Sequence, residues 1–286
     1  MSALGRILTA MVTPFDAQLR VDEEATLRLA NHLVAHGSDG LVVCGTTGEA
    51  TTLTDEEHLR VIELVVQEMK GRATVVAGVG SNDTHHAVYL TEKATALGVD
   101  GLLHVTPYYN RPNRRGMVAH FSACAEATDR PIVLYNIPSR TGTDMPNDLL
   151  AELAQLDNVM AVKQANADNL ALVDGLDLYA GNDDIFADVL DLGGAGGILV
   201  ASHVVGDQMR RMIDEPENRR EIDGELREVY AAMGVTTNPT PVKAALNLLG
   251  HDVGGLRLPM VEADERELAV VRTALERLGL LTTASA

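Results

Sequence analysis

Val159-Met160-Ala161-Val162-Lys163-Gln164-Ala165 is a short, nearly continuous apolar run with one lysine inside it. Continuous rather than alternating apolarity is what a parallel strand buried on both faces requires. The same kind of run recurs along the first three quarters of the chain, at Ile7–Pro14, Gly40–Cys44, Thr74–Val79, Gly101–Pro107, Ile132–Ile137, Leu178–Gly181 and Gly197–Ala201. Amphipathic stretches separate them, for example Asp55–Met69 and Asp83–Leu97, and Thr54-Asp55-Glu56-Glu57 has the pattern of a capping box opening a helix. Eight β-α units in succession predict an α/β fold, a closed (β/α)8 TIM barrel. A doubly wound open sheet competes, but its dinucleotide fingerprint GxGxxG is missing. Past about residue 205 the strand signal stops. Helical patterns at Arg219–Met233, Pro241–Leu249 and Glu262–Leu278 exceed the eighth barrel helix. The expected division is a barrel over 1–218 and a C-terminal helical extension over 219–286.

Composition excludes several function classes. The 286 residues are 46% apolar and 22% charged, which is globular and not disordered. No apolar run approaches the roughly 18 residues of a membrane span. The N-terminal stretch lacks the pattern of a signal peptide, so a cytoplasmic address is expected. Cys44 and Cys124 are too few for a disulfide framework or a zinc cage. A net charge of −18 argues against nucleic acid, and the densest basic group, Arg111, Arg114 and Arg115, is too small to neutralise a phosphate backbone. Only four lysines are present, Lys70, Lys93, Lys163 and Lys243, and Lys163 alone lies in a strand-like run.

In a (β/α)8 barrel the reactive groups gather at the C-terminal ends of the strands. Strand alternation puts Val159, Ala161, Lys163 and Ala165 on one face. A lysine among small apolar neighbours loses hydration, its pKa falls, and the neutral amine can attack a carbonyl to form a Schiff base. The alternative is a lysine paired with a buried carboxylate or snorkelling out of the strand end. In the preceding run, Val133, Tyr135 and Ile137 share a face, which sets Tyr135 beside Lys163, where a phenol can shuttle protons. A core tyrosine capped by backbone is its commoner fate. Arg140, just past that run, can hold a carboxylate bidentately, or can serve a surface ion pair. Cys44-Gly45-Thr46-Thr47-Gly48-Glu49 forms a small polar nest able to bind a carboxylate, or an ordinary glycine turn. Thr106-Pro107-Tyr108-Tyr109-Asn110-Arg111-Pro112 is a stiff loop whose tyrosines suit either a site or a subunit interface. Leu192-Gly193-Gly194-Ala195-Gly196-Gly197 reads as close helix–strand packing more simply than as a phosphate cradle. His85, His203 and His251 have no metal-ligand spacing.

Four of these motifs in register resemble the dihydrodipicolinate synthase family of pyruvate-dependent class I aldolases and lyases: Gly45–Glu49, Thr106–Pro112, Tyr135–Gly142 and Val162-Lys163. Gly181-Asn182-Asp183 and Asn238-Pro239 extend the likeness over essentially the full chain. The resemblance implies condensation of pyruvate with L-aspartate-4-semialdehyde to 4-hydroxy-tetrahydrodipicolinate, on the diaminopimelate route to lysine. It implies a Schiff base on Lys163. Pyruvate would be held by Thr47 and by backbone at Ile198 and Gly181. Tyr135, Thr46 and, from a neighbouring subunit, Tyr109 would form the proton relay. Arg140 would bind the semialdehyde carboxylate. No metal or organic cofactor is implied, and the expected assembly is a homotetramer, a dimer of dimers. Gln164 stands where many members carry an acid, and Asn182 where Asp is frequent. His86 stands at a position that is acidic in lysine-inhibited members, and Asp55 where a basic or aromatic residue is common, so lysine feedback is expected to be weak or absent. Two other readings remain: a sister aldolase with another acceptor, such as a sialic-acid or keto-deoxy sugar acid, and a non-catalytic small-molecule-binding barrel.

Overall fold

A computed structural model describes residues 4–281. Eight parallel strands close on themselves in sequence order. They are β1 (Ile7–Ala10), β2 (Gly40–Val43), β3 (Thr74–Gly78), β4 (Gly101–Val105), β5 (Ile132–Asn136), β6 (Val159–Gln164), β7 (Asp177–Ala180) and β8 (Gly196–Leu199). β8 pairs with β1, with Leu8 opposite Ile198. All eight apolar runs became strands, each ending before the turn residues that trail it.

The strands are buried on both faces because two cores meet them. Inside the barrel Leu8, Val42, Val76, Leu103, Val133, Tyr135, Ala161, Tyr179 and Ile198 pack on one another. Alternate residues such as Leu41, Val75, Leu134 and Val162 face the helices instead. One expectation needs correction. Val159 belongs to the outer core, not to the face of Ala161 and Lys163. The register explains it: Ile132 pairs with Val159 and Val133 with Ala161, so Met160 is skipped and left 49% exposed. An irregularity of this kind flips the side chains that precede it.

The helices are α1 (Glu23–Ala35), α2 (Asp55–Met69), α3 (Thr84–Leu97), α4 (Arg114–Glu126), α5 (Pro138–Thr141), α6 (Asn147–Leu153), α7 (Phe186–Asp191), α8 (Ser202–Asp214), α9 (Arg219–Met233), α10 (Thr240–Leu248) and α11 (Glu265–Arg277). The capping box of α2 is present: Glu57 N–H donates to Thr54 Oγ1 at 3.3 Å and Thr54 N–H to Glu57 Oε2 at 3.0 Å. The last helix begins at Glu265 rather than Glu262, because Asp264 caps it by accepting from the amides of Arg266 and Glu267, both at 2.8 Å. The helical extension is tied to the barrel. Lys243 of α10 bonds Glu49, at the end of the turn after β2, at 2.6 Å, and both side chains are buried. Among the described residues no helix is long and apolar enough to cross a membrane.

Candidate active site

Lys163 lies near the C-terminal end of β6, 5% exposed, directly opposite Tyr135 of β5 in the register. Its Nζ sits 4.2 Å from the centroid of the Tyr135 ring. It makes no ion pair among the described residues. Burial pulls its pKa from 10.5 down to about 7; the nearby Asp183 carboxylate opposes this and the Arg140 guanidinium adds to it. Tyr135 is pushed the other way by burial, to about 12, with Arg140 opposing. At neutral pH the phenol therefore keeps its proton, while about half of the amine is free of one.

Backbone and amide bonds hold this pair in place. Thr106 donates to the Tyr135 carbonyl from both its hydroxyl and its amide, at 3.0 Å each. On the far face, Asn136 pairs with Gln164 in the register and donates to its Oε1 at 3.0 Å, while Asn166 N–H donates to the same oxygen at 3.0 Å. Gln164 thus turns away from Lys163 and its acceptor oxygen is fully engaged.

The turn after β2 supplies the opposite wall. Thr47 is buried at 3% exposure, and Asn238 Nδ2 donates to its Oγ1 at 2.9 Å. With a lone pair so engaged, the Thr47 hydroxyl proton is free to be donated onward. Thr46 is exposed beside it. No hydrogen bond joins the Thr46 and Tyr135 hydroxyls among the described residues, although both line the same space. The turn packs close to β3: a Cβ on Gly78 would lie 2.3 Å from the Cys44 carbonyl oxygen, so only glycine admits the approach.

These groups surround a cavity of about 490 Å³. Thr46, Thr47, Tyr135, Arg140, Lys163 and Gly181 all line it. Arg140, from the short helix α5, donates from Nη2 to the Asn238 carbonyl at 3.3 Å and leaves the rest of its guanidinium exposed. Gly181 sits against β6, where a Cβ would come within 2.8 Å of the Ala165 amide nitrogen. Two predicted residues lie elsewhere. Ile198 is fully buried inside the barrel and does not line the cavity, whereas Val200 does. Tyr109 is 89% exposed, turned outward by a left-handed backbone (φ 70°). Tyr108 instead lines an adjoining cavity of about 260 Å³ that shares Thr46, Tyr135, Ile137 and Arg140.

Among the lining residues to which the sequence assigned no role are Asp183, Asn238, Arg227 and Tyr230. Arg227 and Tyr230 come from α9, so the helical extension forms part of the cavity wall. Arg227 is held by Asp223 of the same helix. Asp183 follows β7, and its Oδ1 accepts from the amides of Val200 and Ala201, both at 3.0 Å. Burial raises its pKa to about 6 against those two bonds and the charge of Lys163. The signal available in the sequence was its place at a strand's C-terminal end.

A model of the dihydrodipicolinate synthetase family matches residues 3–278. The chain belongs to that family. It is 46% identical over 96% of both chains to the 4-hydroxy-tetrahydrodipicolinate synthase of Heliobacterium modesticaldum. Among solved structures, dihydrodipicolinate synthase from Cyanidioschyzon merolae, with lysine bound, superposes with a TM-score of 0.94 at 40% identity, covering 97% of this chain and 99% of that one. The chloride-inhibited synthase of Acinetobacter baumannii, complexed with pyruvate, gives a TM-score of 0.94 at 32% identity over 98% of this chain and 100% of that one.

Proposed function

We infer that this protein condenses pyruvate with L-aspartate-4-semialdehyde to 4-hydroxy-tetrahydrodipicolinate, on the diaminopimelate route to lysine. The observation that carries the chemistry is a desolvated, unpaired Lys163 amine against the Tyr135 ring at the open end of a barrel. Full-length kinship with named synthases carries the choice of reaction.

Neutral Lys163 attacks the pyruvate ketone, and water leaves as the Schiff base forms. The Thr47 hydroxyl, its lone pair engaged by Asn238, donates to the pyruvate carboxylate. Loss of a methyl proton gives an enamine, whose carbon attacks the semialdehyde. Tyr135 and Thr46 carry protons to and from the reacting centre, and Tyr135 does so as a neutral phenol. Arg140 holds the semialdehyde carboxylate at the mouth. The imine itself is the electron sink. Tyr109 completes the relay in a neighbouring copy, within an assembly proposed from the family resemblance as a homotetramer, a dimer of dimers. Holding a non-glycine residue at φ 70° costs roughly 1–3 kcal/mol, consistent with a role outside its own chain's cavity. A cytoplasmic location fits a biosynthetic reaction on soluble substrates.

Lysine feedback is weak or absent. His86 Nε2 lies 3.0 Å from Asp55 Oδ1, so the imidazole stands where an incoming ammonium needs an acid, and the adjacent acid is already engaged. A rate unchanged by sub-millimolar L-lysine is expected; inhibition in that range overturns this reading.

The test is borohydride reduction in the presence of pyruvate, followed by intact mass, with Lys163→Ala as control. A pyruvate adduct lost in the control, together with turnover of the semialdehyde, supports the synthase. An adduct without that turnover moves the protein to a sister aldolase. No adduct on folded protein rejects the Schiff base.

A further inference from the structure

The acceptor proposed above carries two charges, a carboxylate and an ammonium, and Arg140 answers only the first. The ring closes when the acceptor's own nitrogen attacks the carbon bound to Lys163, and an ammonium has no lone pair to attack with. A group in the cavity must take its proton. Tyr135 is unsuitable because it holds its own proton. Lys163 is occupied as the imine at that stage. Arg227 is a cation held by Asp223.

Asp183 has the required features. It lines the same cavity as Arg140 and Lys163. Its Oδ1 is fixed by the Val200 and Ala201 amides at 3.0 Å. Its Oδ2 has no protein partner among the described residues and is not sealed off in the interior. A carboxylate anchored through one oxygen and open at the other is a positioned acceptor for a cation's proton. Asp184 also faces the cavity, but it is exposed and has no backbone anchor, so it gives no fixed geometry.

We propose that Asp183 binds the acceptor's ammonium and is the general base for ring closure, an inference that rests on the synthase reading. After carbon–carbon bond formation, Asp183 Oδ2 takes one ammonium proton. The freed lone pair forms a bond to the carbon of the protonated Schiff base, and the C=N π pair moves onto the Lys163 nitrogen, which keeps its proton and becomes a neutral secondary amine. A second proton passes from the ring nitrogen to that nitrogen. The Lys163–carbon bond then breaks, Lys163 leaves with the pair as a neutral amine, and the ring nitrogen's lone pair makes the cyclic C=N. The third proton and the one on Asp183 go to solvent.

Asp183→Asn keeps the anchoring oxygen and removes the base. The test compares it with wild type using pyruvate and either the semialdehyde or 4-oxobutanoate, which has the aldehyde and carboxylate but no amine. Wild-type turnover of the semialdehyde establishes the synthase reading independently of Asp183. The expected result for Asp183→Asn is undiminished trapping of pyruvate alone and of the 4-oxobutanoate adduct. Semialdehyde turnover should fall about 100-fold or more, with the open-chain carbon–carbon adduct now trapped on Lys163. Turnover within threefold of wild type overturns the proposal. So does an equal loss with 4-oxobutanoate, which makes Asp183 a support for the β8–α8 turn only.

Discussion

Replacing Lys163 with methionine should abolish turnover and stabilise the fold. Methionine matches the lysine stem in length and brings no charge. The penalty it removes follows from burial, which lowers the lysine pKa from 10.5 to about 7. The sign follows from proton counts. Between those two values the unfolded chain holds a proton that the folded chain lacks, so wild-type stability rises with pH through this window. Below about pH 7 both states are protonated and the whole desolvation cost is felt. Above about 10.5 both are neutral and the cost is gone. At pH 7 the difference corresponds to about 4 kcal/mol, the free energy of bringing an amine that is ordinarily neutral in about 1 molecule in 3,000 to half neutral. Urea titrations of both proteins at pH 7 and pH 10 measure it. The expected outcome is a higher midpoint for Lys163→Met at pH 7 and a much smaller gap at pH 10. A variant less stable than wild type at pH 7, or a gap that does not shrink with pH, would refute the claim that this amine is held at a cost.

Arg140→Ala should raise KM for the semialdehyde ten- to a hundredfold, about 1.5–3 kcal/mol for a lost charged hydrogen bond, while borohydride trapping of pyruvate is unchanged; impaired trapping would place the arginine at the wrong substrate. Lys243→Met leaves the buried Glu49 carboxylate without its countercharge, held only by the Arg257 amide at 3.1 Å, and should cost about 3–5 kcal/mol in denaturant unfolding, with Glu49→Gln added to it restoring part of the loss. Additive losses in that double variant would show that the two charges do not support each other. Gly181→Ala brings a Cβ within 2.8 Å of β6 backbone, and at least a tenfold fall in kcat/KM for pyruvate is expected; wild-type kinetics would mean that the wall is not rigid there.

The barrel was legible because each strand needs an unbroken apolar run to serve two cores, and no other element of this length does. Lys163 and Tyr135 were legible for the same reason: a polar group in such a run must point somewhere, and two neighbouring strands of known order set the two together. The limits were tertiary. Val159 was misassigned because a register irregularity is a property of the pair β5–β6, invisible in either strand. Arg227 and Tyr230 were missed because helical periodicity shows which face of α9 is buried but not that this face closes over a cavity. Asp183 stood in the sequence only as part of Gly181-Asn182-Asp183, with no role of its own; the two amides it accepts from, in the loop after β8, reveal it as anchored and half free.

Lys243 shows what spacing and residue type leave undecided. Both buried lysines lose hydration, and burial pulls both pKa values down. Lys243 recovers the loss locally: Glu49 lies at 2.6 Å, the Gly255 carbonyl accepts at 2.7 Å, and the Phe15 ring centroid is 4.1 Å from Nζ. Its donors are occupied and its partner favours the charged form, so it is an anchor. Lys163 has an aromatic face and a carboxylate that influences it without bonding to it. That leaves a proton loosely held and a lone pair facing an open cavity. The same Glu49 closes the turn that presents Thr46 and Thr47. The paired lysine therefore holds the wall against which the unpaired one can work, and the site depends on the contrast between the two.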